Sequence, residues 1–346
     1  MRRAAGLALA FALGCSGAPE PGAPLDEASL WESLADPAEA LTFARRESPL
    51  GRQLLLVLGI ADGAVEAVPL PQAEDPIALL ERMEPAAVRA AAAASPRVRV
   101  PVEALGLPAD LGAAHVAGGT NFRAHGDEVG VDEPFLFPKR VAPTSWASPV
   151  PAATRLDYEV ELCFVALRPI ESAEAASDLG VTLCNDFTDR WVLMRGMLLG
   201  PGVMGTRGFA DAKGQPGFLP VGAFLVVPDE LERWLAGVTL ELWVNGARRQ
   251  RGAASDMVWG VREMLARALA DREAYRYGGA EVPLLPVPGV LPARALLLSG
   301  TPDGVIFRMT NLWRSGLYLQ PGDEVVARAT ALGALRNRVA PRSEDP

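Results

Sequence analysis

Ten consecutive residues constrain this chain more than any others: Leu156-Asp157-Tyr158-Glu159-Val160-Glu161-Leu162-Cys163-Phe164-Val165. They alternate with the period of a β-strand. Tyr158, Val160 and Leu162 face one way, and Glu159, Glu161 and Cys163 face the other. Two carboxylates on one face of so apolar a strand repel each other and are costly to bury. Either that face is solvated or a positive charge compensates it. A hard cation held by carboxylate oxygens, as Mg²⁺ or Ca²⁺ is, would be such a charge.

A third carboxylate fits. Val181-Thr182-Leu183-Cys184-Asn185-Asp186-Phe187-Thr188-Asp189-Arg190 reads as another strand, ending in a turn that presents Asp186 and then Arg190. Upstream, His125 and Glu128 stand three apart and share a face on a helical turn. A carboxylate placed there orients an imidazole and raises its basicity, as a general base requires. Taken alone, H-x-x-E is a weak signal.

Composition narrows the class. The formal net charge of −9 over 346 residues argues against a protein that coats nucleic acid. With 34 glycines and 30 prolines the chain is loop-rich, which argues against a long helical bundle. Two histidines and three cysteines have no spacing for a zinc site. Of the 33 basic residues only Lys139 and Lys213 are lysine. A chain that uses arginine for generic charge makes those two positions worth inspecting.

The first 14 residues, a basic start and a short apolar core, read as a signal peptide. Ala12-Leu13-Gly14-Cys15 is lipoprotein-like, with lipid expected on Cys15 and a tether over 15–25. The expected location is therefore exported: periplasmic, or anchored to a bacterial membrane. Residues 26–96 read as a small α+β part, with 26–47 helical, two strands in 53–71 around Ala61-Asp62-Gly63, and a helix over 76–94 broken at Pro85. Residues 97–340 read as strand-rich, with one further good helix at Ser255–Arg272, and 341–346 as a tail.

From Arg97 to Val339 the chain resembles the fumarylacetoacetate hydrolase family. The resemblance rests on motifs in order: Asn121-Phe122 with His125-x-x-Glu128, Pro134 to Lys139, the E-x-E strand, Asn185-Asp186-Phe187-Thr188-Asp189-Arg190, and Ala212-Lys213-Gly214 before Pro220-Val221-Gly222. After these come Val244-Asn245-Gly246, Ser255-Asp256-Met257, Ser299-Gly300-Thr301-Pro302-Asp303-Gly304-Val305 and Leu319-Gln320-Pro321-Gly322-Asp323. The resemblance implies an α+β fold, a mixed β-sandwich roll with the site at its mouth. It implies Mg²⁺ or Mn²⁺, with Ca²⁺ as an alternative, on Glu159, Glu161 and Asp186. It matches His125 and Glu128 to a water-activating pair, and Arg190, Lys213 and Thr301 to contacts for substrate carboxylate or oxo groups; Lys213 also has a catalytic role. Family substrates are 2-oxo and 1,3-diketo acids. The expected reaction is C–C hydrolysis, with decarboxylation, hydration, isomerisation or binding without turnover as alternatives. A homodimer is expected, with membrane contact only through Cys15. Asp189, Trp191 and Ala223 depart from the family pattern.

Gly200-Pro201-Gly202-Val203-Met204-Gly205 matches G-x-G-x-x-G but lacks the helix a dinucleotide site needs. His115 lies in an apolar run and reads as structural. The Arg248, Arg249, Arg251 cluster reads as a solvated hairpin tip. Cys163 and Cys184 are either small buried hydrophobes or, in an oxidising compartment, a disulfide between the two carboxylate-bearing strands.

Overall fold

A computed structural model describes residues 23–342 apart from 32–33, 49–50, 72, 199–202, 309–310 and 312–313. The expected leader, Cys15 and most of the tether lie outside the described residues, as does the start of the glycine motif at 200. Strands outnumber helices, and the α+β class holds.

Twelve strands form one mixed sheet. Its main path runs Val98–Pro101, Ala64–Pro69, Gly51–Ala61, Ala40–Ser48, Leu225–Pro228, Leu179–Asn185, Val160–Ala166, Leu296–Leu298, His115–Gly119, Phe135–Lys139. The centre of this path carries the chemistry. Val160–Ala166 is buried at every position and hydrogen-bonds on both sides. A strand covered on both faces reads as an apolar run, so a glutamate inside it is an exception that needs a cause. A second sheet of five strands orders Ala247–Ala253, Thr239–Val244, Glu324–Ala329, Gly333–Ala340 and Val150–Pro151.

Local chemistry explains the elements that match expectation. The strands Gly51–Ala61 and Ala64–Pro69 pair across the Asp62-Gly63 turn. The helix expected over 76–94 is two helices, Pro76–Leu80 and Pro85–Ala93, each opened by a proline. Asp75 starts the first by accepting N–H bonds from Ile77 and Ala78. His115 is structural: Nδ1 accepts from the Leu296 N–H at 3.0 Å, and Nε2 then donates to the Val141 carbonyl at 3.1 Å. The Asn245-Gly246 turn joins Thr239–Val244 to Ala247–Ala253, but the arginines lie along the second strand and not at a solvated tip: Arg248 and Arg249 are half-buried, Arg248 ion-pairs with Glu241 at 3.1 Å, and Arg251 alone is exposed, opposite Glu241.

Three further expectations are corrected. Residues 26–47 are not helical: after a 3₁₀ turn at Ala28–Trp31 the chain forms the strand Ala40–Ser48. Phe43 pairs with Leu56 on one side and Leu225 on the other, and this long-range pairing overrides local helical propensity. The Leu156–Val165 strand is broken. Leu156–Asp157 pairs with Thr188–Asp189, and the main-sheet strand starts at Val160. Between them side chains replace ladder bonds: Asn185 Oδ1 takes the Glu159 N–H and Gln250 Oε1 the Val160 N–H. The helix expected at Ser255–Arg272 spans Val261–Ala270, and it is not the one further helix after Arg97. Short ones also form at Arg190–Met197, Phe209–Lys213 and Leu231–Leu235. Asp189 caps the first, its carboxylate accepting from Trp191 and Val192.

Cys163 and Cys184 are bonded to each other, with Cα atoms 5.9 Å apart. The bridge runs diagonally between the paired strands, where Glu161 faces Cys184 and Cys163 faces Thr182. Of the two readings open from sequence, the structure has the disulfide.

Candidate active site

Glu159, Glu161 and Asp186 converge. Each offers one carboxylate oxygen within 4.8 Å of the other two, and all three residues are buried. The convergence follows from register: Val160 pairs with Asn185, and the Asp186 N–H donates to the Glu159 carbonyl at 2.8 Å.

Three buried cations surround the triad. Lys213 Nζ donates to Glu159 Oε2 at 2.5 Å and to Asp186 Oδ2 at 2.9 Å. Lys139 Nζ donates to Asp186 Oδ1 at 2.5 Å and to the carbonyls of Lys213 and Phe218. Arg190 donates through Nε to Asp157 Oδ2 at 2.8 Å and through Nη2 to Glu159 Oε1. The two lysines respond oppositely. Burial holds Lys139 below the ordinary lysine range despite Asp186. For Lys213 burial is outweighed by Asp186 and Glu159, so its ammonium is favoured. Burial alone would raise Glu159, but Lys213 and Arg190 hold it down to about 2.

Glu161 is the exception. Its Oε2 accepts the Gly300 N–H at 2.8 Å, while its Oε1 is buried with no hydrogen-bond partner among the described residues. Burial, Asp186 and Glu159 push this carboxyl well above its usual range. Native interiors rarely leave such an atom orphaned. Asp157, Glu159 and Asp186 each have a cation within 2.8 Å; Glu161 has none. The donor set is all oxygen, the choice of a hard divalent cation. The residues present fit the metal the sequence implied.

The His–Glu pair forms as expected on the helix Arg123–Val129. His125 Nδ1 lies 3.2 Å from Glu128 Oε2. Glu128 is itself held by the Gly304 N–H at 3.2 and 3.0 Å and by an ion pair with Arg308. Because an ionised Glu128 only accepts, Nδ1 carries the imidazole proton and Nε2 keeps its lone pair.

One cavity brings the predicted residues together. His125, Glu159, Arg190, Lys213 and Thr301 line it. Asp186 is buried and bonded to Lys213 of that lining, Glu161 lies buried within 4.8 Å of Glu159 and Asp186, and Glu128 backs His125. Thr301 Oγ1 donates to the Val160 carbonyl at 2.9 Å and accepts from Gln250 at 2.8 Å. Sequence reasoning missed Asp157 as the anchor of Arg190, and Gly304 and Arg308 as anchors of Glu128. It marked Lys139 by its rarity but gave it no role. Gly304 did lie within a quoted motif; its partner, 176 residues away, left no local trace.

Fold and site define an α+β enzyme class in which a buried acidic triad adjoins a small-molecule pocket. The chain belongs to the fumarylacetoacetate hydrolase family: residues 114–340 match the family model of the fumarylacetoacetate (FAA) hydrolase C-terminal domain. It is 28% identical over 256 residues to the 2,4-didehydro-3-deoxy-L-rhamnonate hydrolase of Sphingomonas sp. (strain SKA58), covering 71% of this chain and 77% of that one. It is 27% identical over 235 residues to the oxaloacetate tautomerase YisK of Bacillus subtilis (strain 168), covering 64% and 67%. The fumarylacetoacetate hydrolase structure from psychrophilic Exiguobacterium antarcticum superposes with a TM-score of 0.63 at 22% identity, covering 87% of this chain and all of that one. Family members include hydrolases, isomerases, decarboxylases and tautomerases, and they typically depend on a divalent metal.

Proposed function

We propose that the chain is a divalent-metal-dependent hydrolase that cleaves a C–C bond in a 2-oxo or 1,3-diketo acid. One observation carries the reading: the His125–Glu128 pair and the acidic triad adjoin the same cavity. A decarboxylase needs an electron sink but no base for water, whereas a hydrolase needs both.

Glu159, Glu161 and Asp186 would hold Mg²⁺ or Mn²⁺. When bound, the ion supplies Lewis-acid stabilisation to the substrate's oxo groups. The protein's own groups do the rest. Arg190 spends Nε and Nη2 on Asp157 and Glu159, leaving Nη1 for the substrate carboxylate. Thr301 supports the same end of the cavity. His125 Nε2 takes a proton from water as its oxygen attacks the distal carbonyl, and Glu128 stabilises the imidazolium that forms. The C–C bond then breaks, its electron pair passing to the enolate of the departing fragment. Lys213 offers a compact positive charge to that oxyanion. His125 returns the proton to the enolate carbon, releasing a carboxylic acid and a 2-oxo acid.

The charge balance supports an anionic substrate. Four carboxylates, Asp157, Glu159, Glu161 and Asp186, face three cations, Lys139, Lys213 and Arg190. With all four ionised, as a bound dication would favour for Glu161, the total including the dication is an excess of one positive charge, which a single substrate carboxylate neutralises.

The reading includes export, with a lipid anchor on Cys15, and a homodimer. Among the described residues no helix is long and apolar enough to cross a membrane. The test is hydrolysis of an acylpyruvate with and without Mg²⁺, in the native sequence and in His125→Ala. Mg²⁺-dependent release of both acids, reduced roughly 10²–10⁴-fold in the variant, supports it. Unchanged hydrolysis in His125→Ala ends it. Oxaloacetate decarboxylation without acylpyruvate hydrolysis would assign the site to lyase chemistry.

A further inference from the structure

We infer that the acid this site takes carries an apolar tail, with no second carboxylate and no hydroxyl groups at its far end. The inference rests on the reading above and names the substrate class within it.

The cavity is chemically two-ended. Its charged side chains are Glu159, Arg190 and Lys213, bonded to one another beside the triad. His125 adds the base the proposed reaction uses, and Thr301 keeps its hydroxyl on the Val160 carbonyl at 2.9 Å. The remaining polar side chain in the lining is Thr120, whose hydroxyl donates to the Glu133 carbonyl at 3.1 Å. Everything else that side chains contribute is apolar: Phe135, Phe137, Phe209, Leu193, Met197 and Met204 form most of it. Phe209 packs on Phe135 and Phe137 at 4.8 and 5.2 Å between ring centres. A distal carboxylate or a run of hydroxyls would leave water for this wall without a hydrogen-bond partner, and such desolvation is costly.

The wall continues outward. Eight large hydrophobic side chains are exposed among the described residues, and five of them fall between positions 191 and 204: Trp191, Met197, Leu198, Val203 and Met204. Met197 and Met204 belong to the cavity lining as well. These two methionines are both exposed and cavity-lining, and exposed apolar side chains continuous with a pocket mark a binding surface. Methionine suits it because its flexible thioether adapts to chains of different length. The cavity holds about 90 Å³, little more than the reacting end of the acid requires. A longer tail therefore emerges at the mouth and lies along Met197 and Met204. This continuity with the cation-lined end makes the substrate's tail the occupant of the rim.

The experiment separates tail recognition from chemistry. Binding of 2-oxobutanoate, 2-oxohexanoate, 2-oxooctanoate and 2-oxoglutarate to the full chain is measured by calorimetry with saturating Mg²⁺. These acids lack the bond to be cleaved, so affinity is read without turnover. Expected is a gain of about two- to fourfold per added methylene, with 2-oxoglutarate weaker than 2-oxohexanoate. Met197→Ser and Met204→Ser should each reduce the gain per methylene, with the melting transition retained. A flat series, a preference for 2-oxoglutarate, an increment untouched by both substitutions, or no binding at all overturns the inference. Turnover of acylpyruvates is followed separately. A rising series without hydrolysis would sink the hydrolase reading and leave the tail inference standing; hydrolysis with a flat series would do the reverse.

Discussion

Gly304 donates its backbone N–H to both carboxylate oxygens of Glu128, at 3.2 and 3.0 Å, and so fixes the partner of His125 from the far end of the chain. The position requires glycine. Its φ is +106°, and a Cβ there would lie 2.0 Å from the Arg249 carbonyl oxygen. Gly304→Ala should therefore displace the anchor of Glu128 while leaving the triad intact. The expected result is unchanged Mg²⁺ affinity by calorimetry and a kcat for acylpyruvate hydrolysis lowered by roughly tenfold or more. Full hydrolysis in Gly304→Ala would remove Glu128 from the mechanism.

Glu161→Gln should move two quantities in opposite directions. The amide keeps the shape of the carboxyl but removes an acid whose ionisation burial, Asp186 and Glu159 all oppose. The metal-free protein gains about 1–3 kcal/mol, the scale of an uncompensated buried polar group. Mg²⁺ affinity falls by roughly 100-fold or more, since a direct ligand outweighs the groups that merely orient ligands. Denaturant melts in EDTA give the first and titration calorimetry the second. Retained Mg²⁺ affinity would place the ion elsewhere.

The two lysines should fail differently. Lys139 spends its ammonium on Asp186 Oδ1 and two carbonyls, so Lys139→Met leaves three buried acceptors without their donor, although Lys213 still holds Asp186 Oδ2, and should cost about 1–3 kcal/mol of stability. Lys213 lines the cavity, so Lys213→Arg should keep the fold and lower kcat by roughly tenfold or more, because a planar guanidinium cannot take the place of a compact ammonium. A stable Lys139→Met, or a fully active Lys213→Arg, contradicts the division.

His115 should make the protein acid-sensitive. Burial, aided by the nearby charge of Lys139, depresses its imidazole to about 3. Between that value and the ordinary 6.5 the unfolded chain binds a proton that the native state refuses. Stability from this group is thus complete above pH 6.5 and lost as pH falls toward 3, with a slope of up to about 1.4 kcal/mol per pH unit. Urea melts at pH 4, 5, 6 and 7 should show a shallower dependence in His115→Gln than in the native sequence. Parallel curves would mean that folding does not lower the proton affinity of His115.

Local chemistry was legible in the sequence and long-range pairing was not. The Asp62-Gly63 turn, the proline-opened helices and the His125–Glu128 face are set by neighbours within a few residues, and they form where the sequence predicts. The triad was legible because strand alternation fixes which face Glu159 and Glu161 share. What stayed hidden depends on residues far apart in sequence. Ala40–Ser48 has helical composition and becomes a strand because strands at 51–61 and 225–228 accept it. Asp157 looked like one more alternating polar position, yet Arg190 and the N–H groups of Ile306 and Phe307 claim its carboxylate. The cysteines could be placed near the triad, but only the diagonal register between their strands decides that they bond.

The pairing of Phe43 with Leu225 also sets what can be cut from this protein. Leu225–Pro228 lies between Ala40–Ser48 and the strand that leads to Asp186. All four of its residues are buried. A fragment trimmed to the family-matched residues 114–340 would turn it into a bare sheet edge of Leu, Val, Val and Pro, a template for pairing with other copies. Such a fragment should aggregate even with every catalytic group present, so expression boundaries are better placed before residue 40.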